Sequence, residues 1–197
     1  MQELPIKLVV GLGNPGEKYN ETRHNAGFLF IDELCREYGV TLSNDKNCFG
    51  RSARVEIKGE HEGQTVRLLA PDTFMNLSGK AVVAAMNFYK IKIEEVLVVH
   101  DELDMPAGVA KLKLAGGHGG HNGLRDIIAK TGSNDFSRLR IGIGHPGHAS
   151  AVLGYVLKKA PKPEYQLMLD SFISAGRIMP KLFAGKLQLA MIELHTK

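Results

Sequence analysis

The sequence has little of what marks several protein classes. It holds two cysteines, Cys35 and Cys48, without the paired spacing of a metal or redox site, so a disulfide framework is excluded and a reducing compartment is expected. Cys35 falls on the apolar stripe of a helix expected over 27–38, the setting of an inert buried thiol. No window approaches the ~18 apolar residues of a membrane helix. No basic stretch followed by an apolar run opens the chain. The chain is therefore expected to be cytoplasmic, with no membrane association. There is no G-x-S-x-G elbow, no H-E-x-x-H pair, no internal repeat, no low-complexity tract and no long linker. With 197 residues, 44% of them hydrophobic, one domain over 1–197 with a substantial core is expected.

The formal charge of +4 is unevenly placed. Residues 1–150 carry 18 basic and 18 acidic side chains, so the 7 basic and 3 acidic of 151–197 account for the whole excess. Within 111–140, however, six cations (Lys111, Lys113, Arg125, Lys130, Arg138 and Arg140) face two acids. Such a patch fits a polyanion as well as a solvated face.

Residues 6–10 form a short β-branched run ending in glycines, the pattern of a buried strand. Phe28, Ile31, Leu34, Cys35 and Tyr38 recur at helical spacing, and Gly39 supplies the stop. Segments 49–57 and 65–70 flank Gly59-Glu-His-Glu-Gly63 and read as a hairpin. A helix is expected over 76–89 and a second buried strand over 96–99, ending at His100-Asp101. Residues 109–114 alternate apolar and basic. A short helix over 122–130 follows a glycine run, a strand spans 139–143, and two weaker helices fill 163–189, bent or broken around Pro180. Strands alternating with helices and hairpins imply an α/β fold: three layers, with a mixed, mostly parallel twisted sheet flanked by helices.

Gly11-Leu-Gly-Asn-Pro-Gly16 satisfies the dinucleotide fingerprint and follows a strand, which keeps a nicotinamide-dependent oxidoreductase in view. Its context argues against that reading. Pro15 lies inside the motif, and residues 17–24 show no apolar helical stripe. A tight turn presenting Asn14 at the strand end fits better.

The polar residues converge on one rim. Alone, His24 reads as a capping or surface residue before a helix. Asp101 stands at the end of the 96–99 strand, Asn14 at the end of the first, and Asn76 and Asn122 at helix starts, where each could simply be an N-cap. Strand ends and helix N-termini are where ligand groups gather in open α/β sheets. A histidine with a carboxylate on one ring nitrogen is held in the tautomer that frees the other as a base. Without an evident nucleophile, such a pair suits direct activation of water, with asparagine amides donating to an oxyanion. The pairs His118/His121 and His145/His148 are spaced by glycine or Pro-Gly, poor geometry for a metal, and none is expected. A non-catalytic RNA-binding protein would account for the basic patch but not for a His24–Asp101 pair.

Six strings, taken together, resemble the bacterial peptidyl-tRNA hydrolases: Gly11-Leu-Gly-Asn-Pro-Gly16, Thr22-Arg-His-Asn-Ala-Gly27, Phe74-Met-Asn-Leu-Ser-Gly-Lys-Ala81, His100-Asp-Glu-Leu-Asp104, residues 116–126, and Arg138-Leu-Arg-Ile-Gly-Ile-Gly-His-Pro-Gly147. The resemblance runs in order from about residue 6 to 157. The hairpin turn, the first five residues and the chain after about 160 match loosely. It implies hydrolysis of the ester between a peptide and the 3′ end of tRNA, recycling prematurely released peptidyl-tRNA, by a monomer without cofactor or metal. It implies His24 as the base, Asp101 as its orienting partner, and Asn14 as the residue that tells an acylated amino group from a free one. It further implies that Tyr19, Phe74, Asn76 and Asn122 contact the acceptor end or the peptide, that Met75 and His121 line the same groove, and that Lys113 and Arg140 hold the terminal 5′ phosphate.

Overall fold

A computed structural model describes residues 4–58 and 63–196. Its strands are β1 (Leu8–Gly11), β2 (Ser43–Asp45), β3 (Gly50–Glu56), β4 (Thr65–Pro71), β5 (Val96–Glu102), β6 (Ala110–Leu114) and β7 (Ser137–Gly142). They join one sheet in the order β2-β3-β4-β1-β5-β7-β6. The central strands β4, β1, β5 and β7 pair in parallel, and β2–β3, β3–β4 and β6–β7 pair antiparallel. The sheet is thus mixed, with its parallel part in the middle, as expected of strands alternating with helices.

Alternation sends successive side chains of the central strands to opposite faces. Val9, Leu97, Val99, Leu139 and Ile141 pack against α1 (Ala26–Tyr38) and, nearer the C-terminus, α5 (Lys162–Gly176), α6 (Met179–Phe183) and α7 (Leu187–His195). Leu8, Val10, Val96 and Val98 face α2 (Ser78–Tyr89) and α3 (Asn122–Thr131). A one-turn helix, α4 (Val152–Val156), lies between β7 and α5. The two cores hold a sheet between two helical layers. On β6, Ala110 and Leu112 are buried while Lys111 and Lys113 are exposed, as the alternation of 109–114 implies.

Several details differ from the sequence reading. The expected hairpin pairs from Gly50↔Pro71 to Glu56↔Thr65, but its turn, residues 59–62, lies outside the described residues. β2 has no apolar alternation to reveal it. It is an exposed edge held by Asp45, whose Oδ2 accepts from Tyr89 Oη at 2.6 Å and Ser52 Oγ at 2.7 Å. The α-helix expected to open at Asn76 begins at Ser78, after a 3-10 turn over Met75–Leu77. The two C-terminal helices expected are three, and the run is broken next to Pro180, as expected: α5 ends at Gly176 and α6 begins at Met179. Pro180 occupies the first turn of α6, where a missing N–H costs nothing. Both cysteines are buried. Burial pushes the Cys35 thiol up to about 11 and that of Cys48 to about 12, consistent with inert core roles.

The packing of α1 decides where His24 stands. Leu12 N–H donates to the Val99 carbonyl at 2.9 Å, extending the β1–β5 ladder past the strand. The first turn of α1 presses directly on it. A Cβ on Gly27 would lie 2.2 Å from Leu12 N and 2.5 Å from Val99 O. A Cβ on Gly11 would lie 2.2 Å from the Gly27 carbonyl oxygen. Only two glycines allow backbone to meet backbone here. Gly27→Ala is expected to lower the free energy of unfolding by roughly 3 kcal/mol in urea denaturation, the upper range of overpacking; a loss within ±0.5 kcal/mol would contradict this packing.

Candidate active site

The parallel strands end at one rim, and the polar residues converge there. Asp101, 4% exposed, lies near the end of β5. His24 sits in a 3-10 turn immediately before α1. Its Nδ1 lies 3.0 Å from both Asp101 carboxylate oxygens, so Nδ1–H donates to the carboxylate. Nε2 is left without a protein partner among the described residues, on a side chain 13% exposed. This is the tautomer a general base requires.

His121 completes the carboxylate's shell. Its Nε2 lies 2.9 Å from Asp101 Oδ1, while its Nδ1 accepts from Gly123 N–H at 3.2 Å and Leu124 N–H at 3.4 Å. A nitrogen that accepts two backbone N–H groups carries no proton, so the proton is on Nε2 and points at Asp101. The capping role open to Asn122 belongs to His121. Likewise Asn76 does not cap α2, whose N-cap position is Leu77. The same bond recurs elsewhere in the histidine-rich turns. His118 Nδ1 accepts from Gly120 N–H at 3.0 Å, and His145 Nδ1 from Gly147 N–H at 2.9 Å. These histidines close their own turns, as an asparagine or aspartate would.

The donor atoms of His24, Asp101 and His121 lie within 4.8 Å of one another, the compactness of a metal site. The hydrogen bonds argue against one. His24 Nδ1 and His121 Nε2 both spend their protons on Asp101, and the second lone pair of His121 is already taken by backbone N–H groups.

Asn14, 8% exposed, is clamped from two sides. Its backbone N–H donates to Asn25 Oδ1 at 2.8 Å, and Asn25 Nδ2 donates to the Asn14 carbonyl at 3.0 Å. Its own Oδ1 accepts from Met75 N–H at 2.8 Å, so its Nδ2 remains as a free donor. Asn122, exposed, spends Oδ1 on Arg125 Nη1 at 3.0 Å and keeps its amide hydrogens. Asn76 is exposed one residue after Met75. Met75 is buried in the α2–α3 core and reaches the site through its backbone. Tyr19 and exposed Phe74 meet edge to face, ring centroids 6.4 Å apart. Lys113 and Arg140 share a sheet face, but register sets Lys111, not Lys113, opposite Arg140. Arg140 Nε donates to Glu102 Oε2 at 2.9 Å. Arg138, counted in the basic patch, is buried and gives its guanidinium to the carbonyls of Gly116 and Gly117.

Sequence reasoning assigned no role to Asn25 and Arg23. Arg23, 5% exposed, donates to the carbonyls of Tyr155, Lys158 and Lys159, pairs with Glu164 at 2.9 Å and stacks 4.0 Å from the Tyr155 ring. It ties the His24 turn to α4. Both residues stand inside Thr22-Arg-His-Asn-Ala-Gly27; an arginine and an asparagine flanking a candidate base were the available signal.

Comparison with known proteins identifies the family. The peptidyl-tRNA hydrolase family model matches residues 8–197. The chain belongs to the peptidyl-tRNA hydrolase family. It is 55% identical over 193 residues to the peptidyl-tRNA hydrolase of Teredinibacter turnerae, covering 98% of each chain. It is 53% identical to that of Pseudomonas aeruginosa, covering 98% of this chain and 97% of the other. The crystal structure of peptidyl-tRNA hydrolase from Acinetobacter baumannii superposes with a TM-score of 0.90 at 50% identity, covering 98% of this chain and 95% of that one. The family match includes the helices after residue 160, which the motif strings left as loosely matching. Family membership also removes the oxidoreductase reading, and the packing gives Gly11 another use, room for α1.

Electrostatics bear on the base directly. Burial disfavours the His24 imidazolium, but the Asp101 charge and its hydrogen bond outweigh that, so His24 titrates above its ordinary range. Asp101 is held below the usual carboxylate range: burial opposes ionisation, and the two imidazoles more than offset it. The stability from the raised His24 is present below the ordinary histidine value and lost as pH rises through the raised one. That from Asp101 is present above the ordinary carboxylate range and lost as pH falls below it. In an NMR titration His24 should titrate above about 6.5 in the native chain and at lower pH in Asp101→Asn. An unchanged His24 titration in the variant would contradict the coupling.

Proposed function

We propose that the chain hydrolyses the ester joining a peptide to the 3′ end of tRNA, with His24 as general base, Asp101 its orienting carboxylate, and no metal or cofactor. One observation carries the chemistry: His24 Nδ1 is held by a buried carboxylate while Nε2 stands unpartnered at the rim. Water on Nε2 loses its proton to His24 as it attacks the ester carbonyl, and Asp101 stabilises the resulting imidazolium. As the tetrahedral intermediate collapses, the bond to the 3′ oxygen breaks and the imidazolium returns the proton to it, releasing peptide carboxylic acid and tRNA. The substrate follows from family membership. Neutral amides from Asn14, Asn76 and Asn122 suit it, since they bind backbone and oxyanion without reading peptide side chains. In this reading Asn14 tests for the acylated amino group with its free Nδ2. Tyr19 and Phe74 offer faces to the unstacked acceptor end, and Lys113 and Arg140 meet the 5′ phosphate. The same reading takes the protein to act as a monomer in the cytoplasm. A non-catalytic RNA-binding role leaves the His24–Asp101 arrangement without a use.

His24→Ala is expected to lower turnover of N-blocked aminoacyl-tRNA by about 10²–10⁴ with the fold intact; near-normal turnover would refute the assignment. Lys113→Ala and Arg140→Ala should raise KM for tRNA substrates and flatten its salt dependence. If they weaken hydrolysis of a small model ester equally, the phosphate role is wrong.

A further inference from the structure

We infer that His121 is a positioning residue: a second imidazole donor to Asp101, held in its Nε2–H tautomer by the N-terminus of α3, and not a substrate contact. This builds on the reading of His24 as base. Three observations on the geometry support it. Both ring nitrogens of His121 are committed to the protein, Nδ1 to Gly123 and Leu124 N–H and Nε2 to Asp101 Oδ1. Its ring is wedged between two others, with centroids 5.1 Å from His24 and 5.0 Å from His100. A Cβ on Gly123 would lie 2.7 Å from Met75 Sδ, 2.8 Å from Leu12 Cδ1 and 3.2 Å from His121 Cε1, so the start of α3 is closely packed around the ring.

His100 is the backing of this arrangement. Only 2% exposed, it donates Nδ1–H to the Asp101 carbonyl at 2.7 Å, and burial holds its imidazole down to about 3, so it stays neutral. The titratable groups facing His121 are thus His24 ahead of α1, His100 on β5 and Asp101 itself, and Arg138 on β7 stands behind them against His100. Arg138 in turn holds the Gly116 and Gly117 carbonyls of the loop that delivers His121, and His121 N–H donates to the His118 carbonyl at 2.9 Å within that loop. A donor on Oδ1 draws charge from the carboxylate and fixes its plane. Asp101 can then neither rotate away from His24 nor concentrate its full charge on it.

His121→Asn separates positioning from structure, because asparagine keeps a good N-cap for α3 but is too short to reach Asp101 as well. The expected result is a melting temperature within a few degrees of wild type, a kcat for N-blocked aminoacyl-tRNA lowered about tenfold, and an unchanged KM. The acidic limb of kcat should move to higher pH, since Asp101 relieved of one donor raises His24 further. A raised KM with unaltered kcat and pH profile would make His121 a substrate contact and overturn the inference, as would no change at all. Should the variant prove unstable, ¹⁵N-histidine NMR of the wild-type chain decides. His121 must show the neutral Nε2–H tautomer across the His24 titration, and an Nδ1–H tautomer or an imidazolium refutes the inference. That spectrum judges His121 even if His24→Ala were to retain activity and the base assignment fell.

Discussion

One buried negative charge organises this rim. A carboxylate as inaccessible as that of Asp101 is costly unless donors surround it, and the fold delivers two from separate segments. His24 arrives ahead of α1 and His121 ahead of α3, while His100 donates to the backbone carbonyl of Asp101. Remove the charge and the tautomers of His24 and His121 lose their common reason. Remove the helices' close docking and the donors no longer reach it. The catalytic proposal is therefore also a statement about packing.

That packing explains a sequence feature with two faces. The glycine string after β1 has the form of a pyrophosphate cradle, yet at Gly11 the missing Cβ is occupied by the first turn of α1. The same economy of space operates at Gly27, which meets the β1–β5 ladder through its backbone. Close docking puts His24 within 3.0 Å of a residue 77 positions away. The clamp between Asn25 and Asn14 and the Arg23 contacts with 155–164 then prevent the turn carrying His24 from drifting.

Much of this was legible in the sequence, for definable reasons. Local periodicity revealed the central strands and α1 to α3, because burial on one or both faces imposes a pattern on neighbouring residues. His24, Asp101 and Asn14 could be placed together because each follows a strand or precedes a helix at the same end of a parallel sheet. What escaped depends on contacts between distant segments. Nothing local says that His121 rather than Asn122 caps α3, nor that Asn25 serves the backbone of Asn14. Nor does composition say that Arg138 is spent on a loop while Arg140, paired with Glu102, stays part-exposed. β2 was invisible because three polar residues, two of them exposed, carry no apolar alternation, and its anchor is a side-chain cluster on Asp45.

The central claim is that His24 and Asp101 act as one unit in the chemical step. A double-mutant cycle on kcat for N-blocked aminoacyl-tRNA, comparing His24→Ala, Asp101→Asn and the double variant, tests it most directly. If the carboxylate works through the imidazole, the double variant is no slower than His24→Ala alone. Losses that simply multiply would mean that the two residues contribute independently, and the account would be wrong.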